Sequence, residues 1–192
     1  MHQLCLVSDQ PMPNFLAAIE PSLGVKQVTL AVTARMADKA TWLEEALHRH
    51  QIETARLPIA SHTDFEGMWT TFAEWAEARQ QTGEQVALNV TGGTKLMAIA
   101  AQDAFRSAGV PVFYLDLDTN RAVWVEGGIG AEAKTFQPTR QPSLETAFAL
   151  NGFSIEDDAE RYTADPRWRG FLDAVAEHFE AWGKAIGALN GA

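Results

Sequence analysis

The sequence predicts an α/β fold: a mainly parallel, doubly wound sheet covered by helices, with an antiparallel hairpin at one edge. Three observations predict it. Short apolar runs of strand length alternate with amphipathic stretches of helix length. The run 85–91 has an uninterrupted apolar centre at 86–88, which is typical of a central parallel strand buried on both faces. The runs 111–118 and 121–127 are separated only by Thr119 and Asn120, which is typical of a hairpin.

The first part of the chain predicts strands and helices in strict alternation. A turn-rich segment, 9–14, separates the first strand from the first helix, and Gly24 closes that helix. The second helix is indicated by Leu43, Leu47 and His50, which recur at helical spacing. The expected strands are 2–8, 26–33 and 52–60, and the expected helices are 15–23 and 37–50.

Two more helices flank the central strand. The helix over 64–81, which Gly83 ends, carries a large apolar stripe, and we interpret that stripe as core and not as a platform for stacking bases. The stripe consists of Phe65, Met68, Trp69, Phe72 and Trp75. The helix over 92–108 follows the central strand directly and ends at Gly109.

The character of the chain changes after about residue 128, so we divide it into a domain over 1–139 and a helical connector or appendage over 140–192. The Gly- and Pro-rich stretch 127–142 predicts a linker with a short strand, and 143–152 predicts a short helix. The acidic connection 154–167 leads to an amphipathic helix over 168–192. The apolar stripe of that helix, from Trp168 to Trp182, requires a partner surface.

Composition excludes several classes of protein. The 192 residues are 46% hydrophobic and 21% charged, as in folded domains. With 25 acidic and 15 basic residues the formal net charge is −10, so we expect no direct binding of DNA or long RNA. The N-terminus lacks the pattern of a signal peptide and no run is long enough for a membrane span, so we expect a cytoplasmic protein.

Cysteine and histidine usage argues against disulfide and metal sites. Cys5 is the one cysteine, and its apolar neighbours predict a buried thiol. The five histidines do not show the spacing of a zinc site, so we expect no metal. They are His2, His48, His50, His62 and His178.

The sharpest local feature is the segment Asn89-Val90-Thr91-Gly92-Gly93-Thr94-Lys95 between the central strand and the next helix. In a doubly wound fold this turn lies at the carboxyl edge of the sheet, where ligands bind. The glycines allow close approach of a ligand, and the helix N-terminus favours a phosphate. The spacing matches neither a Walker A loop nor the G-x-G-x-x-G fingerprint. A helix cap without a ligand is the alternative interpretation.

A second polar loop follows the first strand and lies at the same edge. Its short hydrogen-bonding side chains suit the recognition of nucleobases or ribose hydroxyls, although such residues also cap helices and form turns. They are Ser8, Asp9, Gln10 and Asn14.

The segments LVSDQPMPN, VTARMADKATWLEEAL and LNVTGGTKLMAIAA resemble the CARF (CRISPR-associated Rossmann fold) domain over about residues 1–150. The similarity is greatest to the branch that opens two-domain nuclease effectors of type III CRISPR systems. It implies a Rossmann-like fold and a homodimer that binds a cyclic oligoadenylate, most often cyclic tetra-adenylate, across its twofold axis. By position, it implies ligand contacts from Ser8, Asp9, Gln10, Asn14, Thr33, Met36, Thr91, Gly92, Gly93, Thr94 and Lys95.

The resemblance also implies a nuclease domain that we do not find in this chain. Glu132-Ala133-Lys134, with Asp116 or Asp118 upstream, mimics a nuclease core, but we reject it because the aspartates flank a hairpin. The stretch 143–158 is similar to the connector that leads to the effector domain. We therefore expect a sensor domain separated from its effector, or a stand-alone protein.

Three functions remain open. The first is a sensor that binds a cyclic oligoadenylate and regulates an effector nuclease, with no cofactor. The second is a metal-independent ring nuclease, in which Ser8 and Lys95 would stabilise the attack of a ribose 2′-hydroxyl on the adjacent phosphate. The third is another nucleotide-binding Rossmann domain. We favour sensing because neither loop carries a histidine or glutamate base.

Overall fold

A seven-stranded sheet with helices on both faces forms the frame of the molecule. The computed structural model describes residues 1–127, 135–154 and 170. The strands are β1 (His2–Leu6), β2 (Gln27–Thr33), β3 (Glu53–Ile59), β4 (Val86–Asn89), β5 (Val112–Asp116), β6 (Arg121–Glu126) and β7 (Thr135–Phe136). The helices are α1 (Met12–Ala18), α2 (Ala37–Arg49), α3 (Phe65–Gln81), α4 (Lys95–Ser107) and α5 (Leu144–Ala149), with short 3₁₀ turns at Pro21–Leu23 and Ala34–Met36.

The strand order is β3-β2-β1-β4-β5-β6-β7. Neighbours from β3 to β5 are parallel, whereas β6 and β7 are antiparallel to their neighbours. The chain winds outward from β1 to β3 on one side and from β4 on the other, so the order reverses between β1 and β4. This arrangement confirms the predicted Rossmann-like fold class. It also places the topological switch point, where such folds bind ligands, between the first and fourth strands.

Two apolar cores lie on opposite faces of the sheet because alternate residues of each strand point to opposite sides. The core under α1 and α2 includes Cys5, Phe15 and Leu43, and the core under α3 and α4 includes Leu6 and Phe72. Burial of the Cys5 thiol raises its pKa to about 12, which confirms the prediction of a buried cysteine.

The apolar stripe of α3 is part of the core, as predicted. Met68, Phe72 and Trp75 are buried, while Phe65 and Trp69 are partly buried against the same core. The stripe is therefore mainly occupied by packing in the core.

Several elements are shorter than predicted because polar loop residues at their ends adopt turn conformations. Strand β1 ends at Leu6 and β4 at Asn89, so Ser8 and Thr91 lie in loops. Helix α4 begins at Lys95, because Thr94 is extended and its hydroxyl caps the helix. Helix α1 begins at Met12, three residues before the predicted start at Phe15.

The predicted hairpin is present with a longer connection. Strand β5 ends at Asp116 and β6 begins at Arg121, and Asn120 has the positive φ of 48° that closes the turn. Asp116 Oδ1 accepts from the backbone N–H of Asp118, and its Oδ2 accepts from Thr119 Oγ1. These bonds stabilise the turn.

The segment after β7 is bound back to the first core. Thr139 donates to Glu20 Oε2 through its backbone N–H at 2.8 Å and through its hydroxyl at 3.0 Å. Burial of Glu20 opposes its charge, but the hydrogen bonds from Thr139 and Ser22 together lower its pKa. Met1–Ser154 form one compact unit, and Leu150 is fully buried in its core. The domain boundary at 139/140 stays a prediction.

Some sequence predictions fall on parts of the chain about which the structure says nothing. Glu132 and Lys134, the connection from 155 onward and the helix over 168–192, apart from Gly170, lie outside the described residues.

A buried histidine lies at the amino edge of the sheet, opposite the predicted ligand edge. His2 Nδ1 is 2.9 Å from Glu84 Oε2, and its Nε2 is 2.8 Å from Thr29 Oγ1. Because a carboxylate only accepts, Nδ1–H donates to Glu84, and Nε2 accepts from the Thr29 hydroxyl. Burial lowers the pKa of His2 in spite of Glu84, so the interaction is a hydrogen bond of a neutral imidazole.

Candidate functional site

The carboxyl ends of β1, β2 and β3 and the N-terminus of α4 surround a cleft of about 380 Å³, which we call the main cleft. The parallel register brings these ends to one edge of the sheet. The polar lining of the main cleft consists of Ser8, Asp9, Thr33, Arg35, His62 and Thr94. Its apolar lining includes Val7, Met36, Ile59 and Met97. The lining therefore combines apolar side chains with hydroxyl, carboxylate, guanidinium and imidazole groups.

A smaller cleft of about 160 Å³ lies beside the main cleft, and Ser8 lines both. This second cleft is formed by the loop after β1, the turn after β4 and the β5–β6 turn. Its polar lining includes Gln10, Thr91, Asp116 and Asp118, together with the phenol-bearing Tyr114. Both candidate loops of the sequence thus contribute to one continuous edge of the sheet.

The two glycines of the turn before α4 allow it to pack against the end of β1. A Cβ atom on Gly92 would overlap the carbonyl oxygen of Leu6 and would come within 3.3 Å of Ser8 Oγ. Gly93 has a φ of +75°, which favours glycine, and a Cβ there would lie 2.9 Å from Leu6 Cβ. The glycines therefore bring the turn and the loop after β1 into direct contact.

The hydroxyls of this turn already have structural partners. Thr94 Oγ1 accepts from the backbone N–H of Met97 at 3.2 Å, which caps α4. Thr91 Oγ1 donates to Asn89 Oδ1 at 2.6 Å and accepts from the Leu115 N–H at 2.8 Å. These bonds hold the turn in place. The N-terminus of α4, with its positive dipole end, then lies at the clefts.

A buried asparagine holds the start of the loop after β1. Asn14 is 1% exposed and donates from Nδ2 to the Leu6 carbonyl at 2.8 Å. It lines neither the main nor the second cleft. The sequence placed Asn14 beside the ligand, and the structure places it in a supporting position below the loop.

Charged groups at the main cleft come from two loops. Arg35 Nη2 is 3.3 Å from Asp9 Oδ2, and both side chains are largely exposed. Lys95, the first residue of α4, is exposed and lines neither of the two clefts. Arg35 is therefore the basic residue of the main cleft lining, while Lys95 lies beside the clefts at the helix start.

Eight of the eleven predicted site residues line one of the two clefts, and their contact with a ligand stays a prediction. Six predicted residues line the main cleft: Ser8, Asp9, Thr33, Met36, Gly93 and Thr94. Gln10 and Thr91 line the second cleft with Ser8. Gly92 is buried where the turn packs against the end of β1. Sequence reasoning missed Arg35 and His62. Arg35 stands between two predicted residues, and His62 follows β3, whose end lies at the same sheet edge.

In the ranges 1–127 and 135–154, no group of three or more His, Cys, Asp or Glu side chains is arranged to hold a metal ion. None of the described helices is both long enough and apolar enough to cross a membrane.

The model of the Card1 CARF domain family matches residues 3–134. Three solved structures are among those similar to the chain. Protein VC1899 from Vibrio cholerae matches with a TM-score of 0.71 and 16% identity, over 78% of this chain and 38% of that one. No curated protein matches the chain.

The other two structures are of a protein in complex with cyclic tetra-adenylate and of a nuclease activated by cyclic oligoadenylate. Can2 from Sulfobacillus thermosulfidooxidans, in complex with cyclic tetra-adenylate, matches with a TM-score of 0.67 and 23% identity, over 98% of this chain and 50% of that one. A type III CRISPR defence DNA nuclease activated by cyclic oligoadenylate matches with a TM-score of 0.66 and 25% identity, over 95% of this chain and 28% of that one. The chain thus spans half or less of the length of these three proteins.

Proposed function

Because the chain belongs to the Card1 CARF domain family, we propose that it is a sensor of a cyclic oligoadenylate, with cyclic tetra-adenylate as its preferred ring. In this proposal a homodimer binds the ring across its axis and regulates an attached or partner effector nuclease in type III CRISPR defence in the cytoplasm. The observation that carries the proposal is the main cleft at the switch point of the sheet, lined by residues from four elements.

The chemistry of the main cleft suits a nucleotide. Met36, backed by the buried Ile59 and Met97, offers apolar surface to an adenine ring. The hydroxyls of Ser8 and Thr33 offer partners to ribose. The N-terminus of α4 attracts a phosphate, because its free N–H groups and helix dipole favour an anion. An acidic chain with a net charge of −10 thereby binds an anion through a local site.

The size of the cleft supports a shared ligand. A volume of about 380 Å³ lies near the lower end of ligand pockets, about 300–1,000 Å³, and suits one nucleotide unit. A ring of four identical units has rotational symmetry, and a twofold dimer presents the same clefts to both halves of it. Two similar proteins, Can2 in complex with cyclic tetra-adenylate and the DNA nuclease activated by cyclic oligoadenylate, support this choice of ligand.

The test is isothermal titration calorimetry with cyclic tri-, tetra- and hexa-adenylate, and with AMP, ATP and NAD as comparison ligands. We expect tight binding of a ring, with cyclic tetra-adenylate the tightest, and weak binding of the others. Clear binding of NAD with no heat from any ring would overturn the sensor proposal in favour of another nucleotide-binding domain.

A further inference from the structure

His62 is the imidazole that the fold brings to the main cleft. It follows β3, and its exposed side chain shares the cleft with Ser8 and Arg35. The other histidines of the described ranges lie elsewhere. His2 is buried at the amino edge of the sheet, His48 bonds Thr54, and the His50 ring packs on Phe15.

We propose that His62 is a catalytic residue: the general base that cleaves the bound ring without a metal ion. The inference rests on the proposed function, since it requires a cyclic oligoadenylate in the main cleft. The loops after β1 and β4 carry no histidine or glutamate that could act as a base. His62 lies in a third loop, after β3, which the parallel topology places at the same edge of the sheet. Imidazole is suited to this role because it gains and loses a proton near neutral pH.

The proposed step is an internal transesterification in which atoms and charges balance. His62 takes the proton of a ribose 2′-hydroxyl, and the 2′-oxygen forms a bond to the adjacent phosphorus. The bond from phosphorus to the 5′-oxygen of the next ribose breaks, and that oxygen takes back a proton from the imidazolium or from water. The product has a 2′,3′-cyclic phosphate at one end and a 5′-hydroxyl at the other, and no water is consumed.

The neighbours of His62 suit the charge that develops in this step. The guanidinium of Arg35 and the hydroxyls of Ser8 and Thr94 line the same cleft and can donate to a phosphorane oxygen. The competing base in the cleft is the carboxylate of Asp9, which is paired with Arg35 at 3.3 Å. Asp9→Asn therefore has to be tested beside His62.

The experiment incubates the full chain with cyclic tetra-adenylate in the presence of a chelator and follows products by chromatography. Chromatography is required because a single cut leaves the mass of the ring unchanged. We expect wild type to yield linear products with 2′,3′-cyclic phosphate ends. We expect His62→Ala and His62→Gln to slow the cut about 100-fold or more, and added imidazole to restore part of the rate of His62→Ala. His48→Ala, an exposed histidine outside the cleft, is the matched control and should cleave at the wild-type rate.

Calorimetry with a ring that lacks the 2′-hydroxyl separates this inference from the proposed function. Binding of that analogue by wild type and both His62 variants, with no cleavage of it, supports the catalytic role. Intact binding with no cleavage of the natural ring by wild type overturns the inference and leaves the sensor proposal standing. Loss of binding in both His62 variants, full activity in either one, dependence on a metal, or a loss of cleavage confined to Asp9→Asn also overturns it. No binding of any ring by wild type removes the proposed function as well.

Discussion

Arg35 and Asp9 form an ion pair between the loops that follow β2 and β1, with Arg35 Nη2 3.3 Å from Asp9 Oδ2. Both side chains are more than half exposed at the rim of the main cleft, so water screens their attraction. A phosphate that approaches this pair meets the cation of Arg35 and the competing anion of Asp9. An incoming polyanion must displace the carboxylate from the guanidinium or bind beside it.

Asp9→Asn is expected to tighten the binding of cyclic tetra-adenylate about two- to fivefold. The amide keeps an oxygen that accepts hydrogen bonds, while it removes a negative charge near the phosphates and releases Arg35. Calorimetry at low and moderate salt measures the effect, which should shrink as salt rises. Glu45→Gln, an exposed carboxylate on α2, controls for net charge and should change little. Weaker binding of Asp9→Asn would show that the carboxylate itself binds the ring.

Lys95→Ala is expected to weaken ring binding about ten- to a hundredfold, more than the loss of any other single lysine or arginine in residues 1–139. A charge-assisted hydrogen bond to phosphate is strong, and Lys95 stands at the helix N-terminus where a phosphate is favoured. Lys26→Ala, an exposed lysine that precedes β2 at the amino edge, is the matched control. A larger loss for Arg35→Ala would place the phosphate at the rim of the main cleft instead.

Gly92→Ala is expected to lower the free energy of unfolding by about 1–3 kcal/mol and to abolish ring binding. The new methyl group would overlap the Leu6 carbonyl and force the turn before α4 away from β1. Urea unfolding and calorimetry measure the two effects. Gly83→Ala has backbone strain but open space around the new methyl, so its stability should fall while ring binding stays at the wild-type level. Retained binding by Gly92→Ala would contradict the importance of this contact.

Stability is expected to fall as the pH drops below about 6.5 because of His2. The folded state lowers the pKa of this imidazole, so the unfolded chain binds more protons in the window just below 6.5. The contribution is complete above the unfolded pKa and is lost as pH falls through the folded pKa. Urea unfolding between about pH 8 and pH 5 measures it, above the range in which Glu84 titrates from a lowered pKa.

The control for this pH effect is His2→Gln, which keeps a polar side chain but cannot titrate. We expect it to be less stable at pH 8, since it alters the bonds to Glu84 and Thr29, but to show a flatter pH dependence above about pH 5. An unchanged slope in His2→Gln would assign the pH dependence to other groups.

The free protein is expected to be a homodimer that binds one ring per two chains. Two copies of the turn before α4 would then place two helix N-termini and two Lys95 side chains at a ligand with fourfold negative charge. Light scattering gives the mass of the free protein, and titration gives the stoichiometry. A monomer that binds one ring per chain would contradict both the symmetry argument and the placement of the ligand at the axis.

The order of elements was predictable from the sequence because it depends on local patterns. The apolar run around Val86 and Leu88 indicated a strand buried on both faces, and both residues are buried in the central β4. The spacing of Met68, Phe72 and Trp75 indicated a helix face in the core. Periodicity of this kind involves residues close together in the chain, so it can be recognised without knowledge of the fold.

The sequence identified two of the loops that line the clefts, those after β1 and β4, because parallel strands bring their carboxyl ends to one edge. Tertiary structure alone decided which side chains at that edge line the clefts. Asn14 looked like a loop residue, yet the return of the chain into α1 buries it under Leu6. His62 belongs to no motif in the sequence, yet the pairing of β3 beside β2 places it in the main cleft. The direction of a loop side chain depends on strand register and turn geometry between segments far apart in sequence, and no local pattern encodes these.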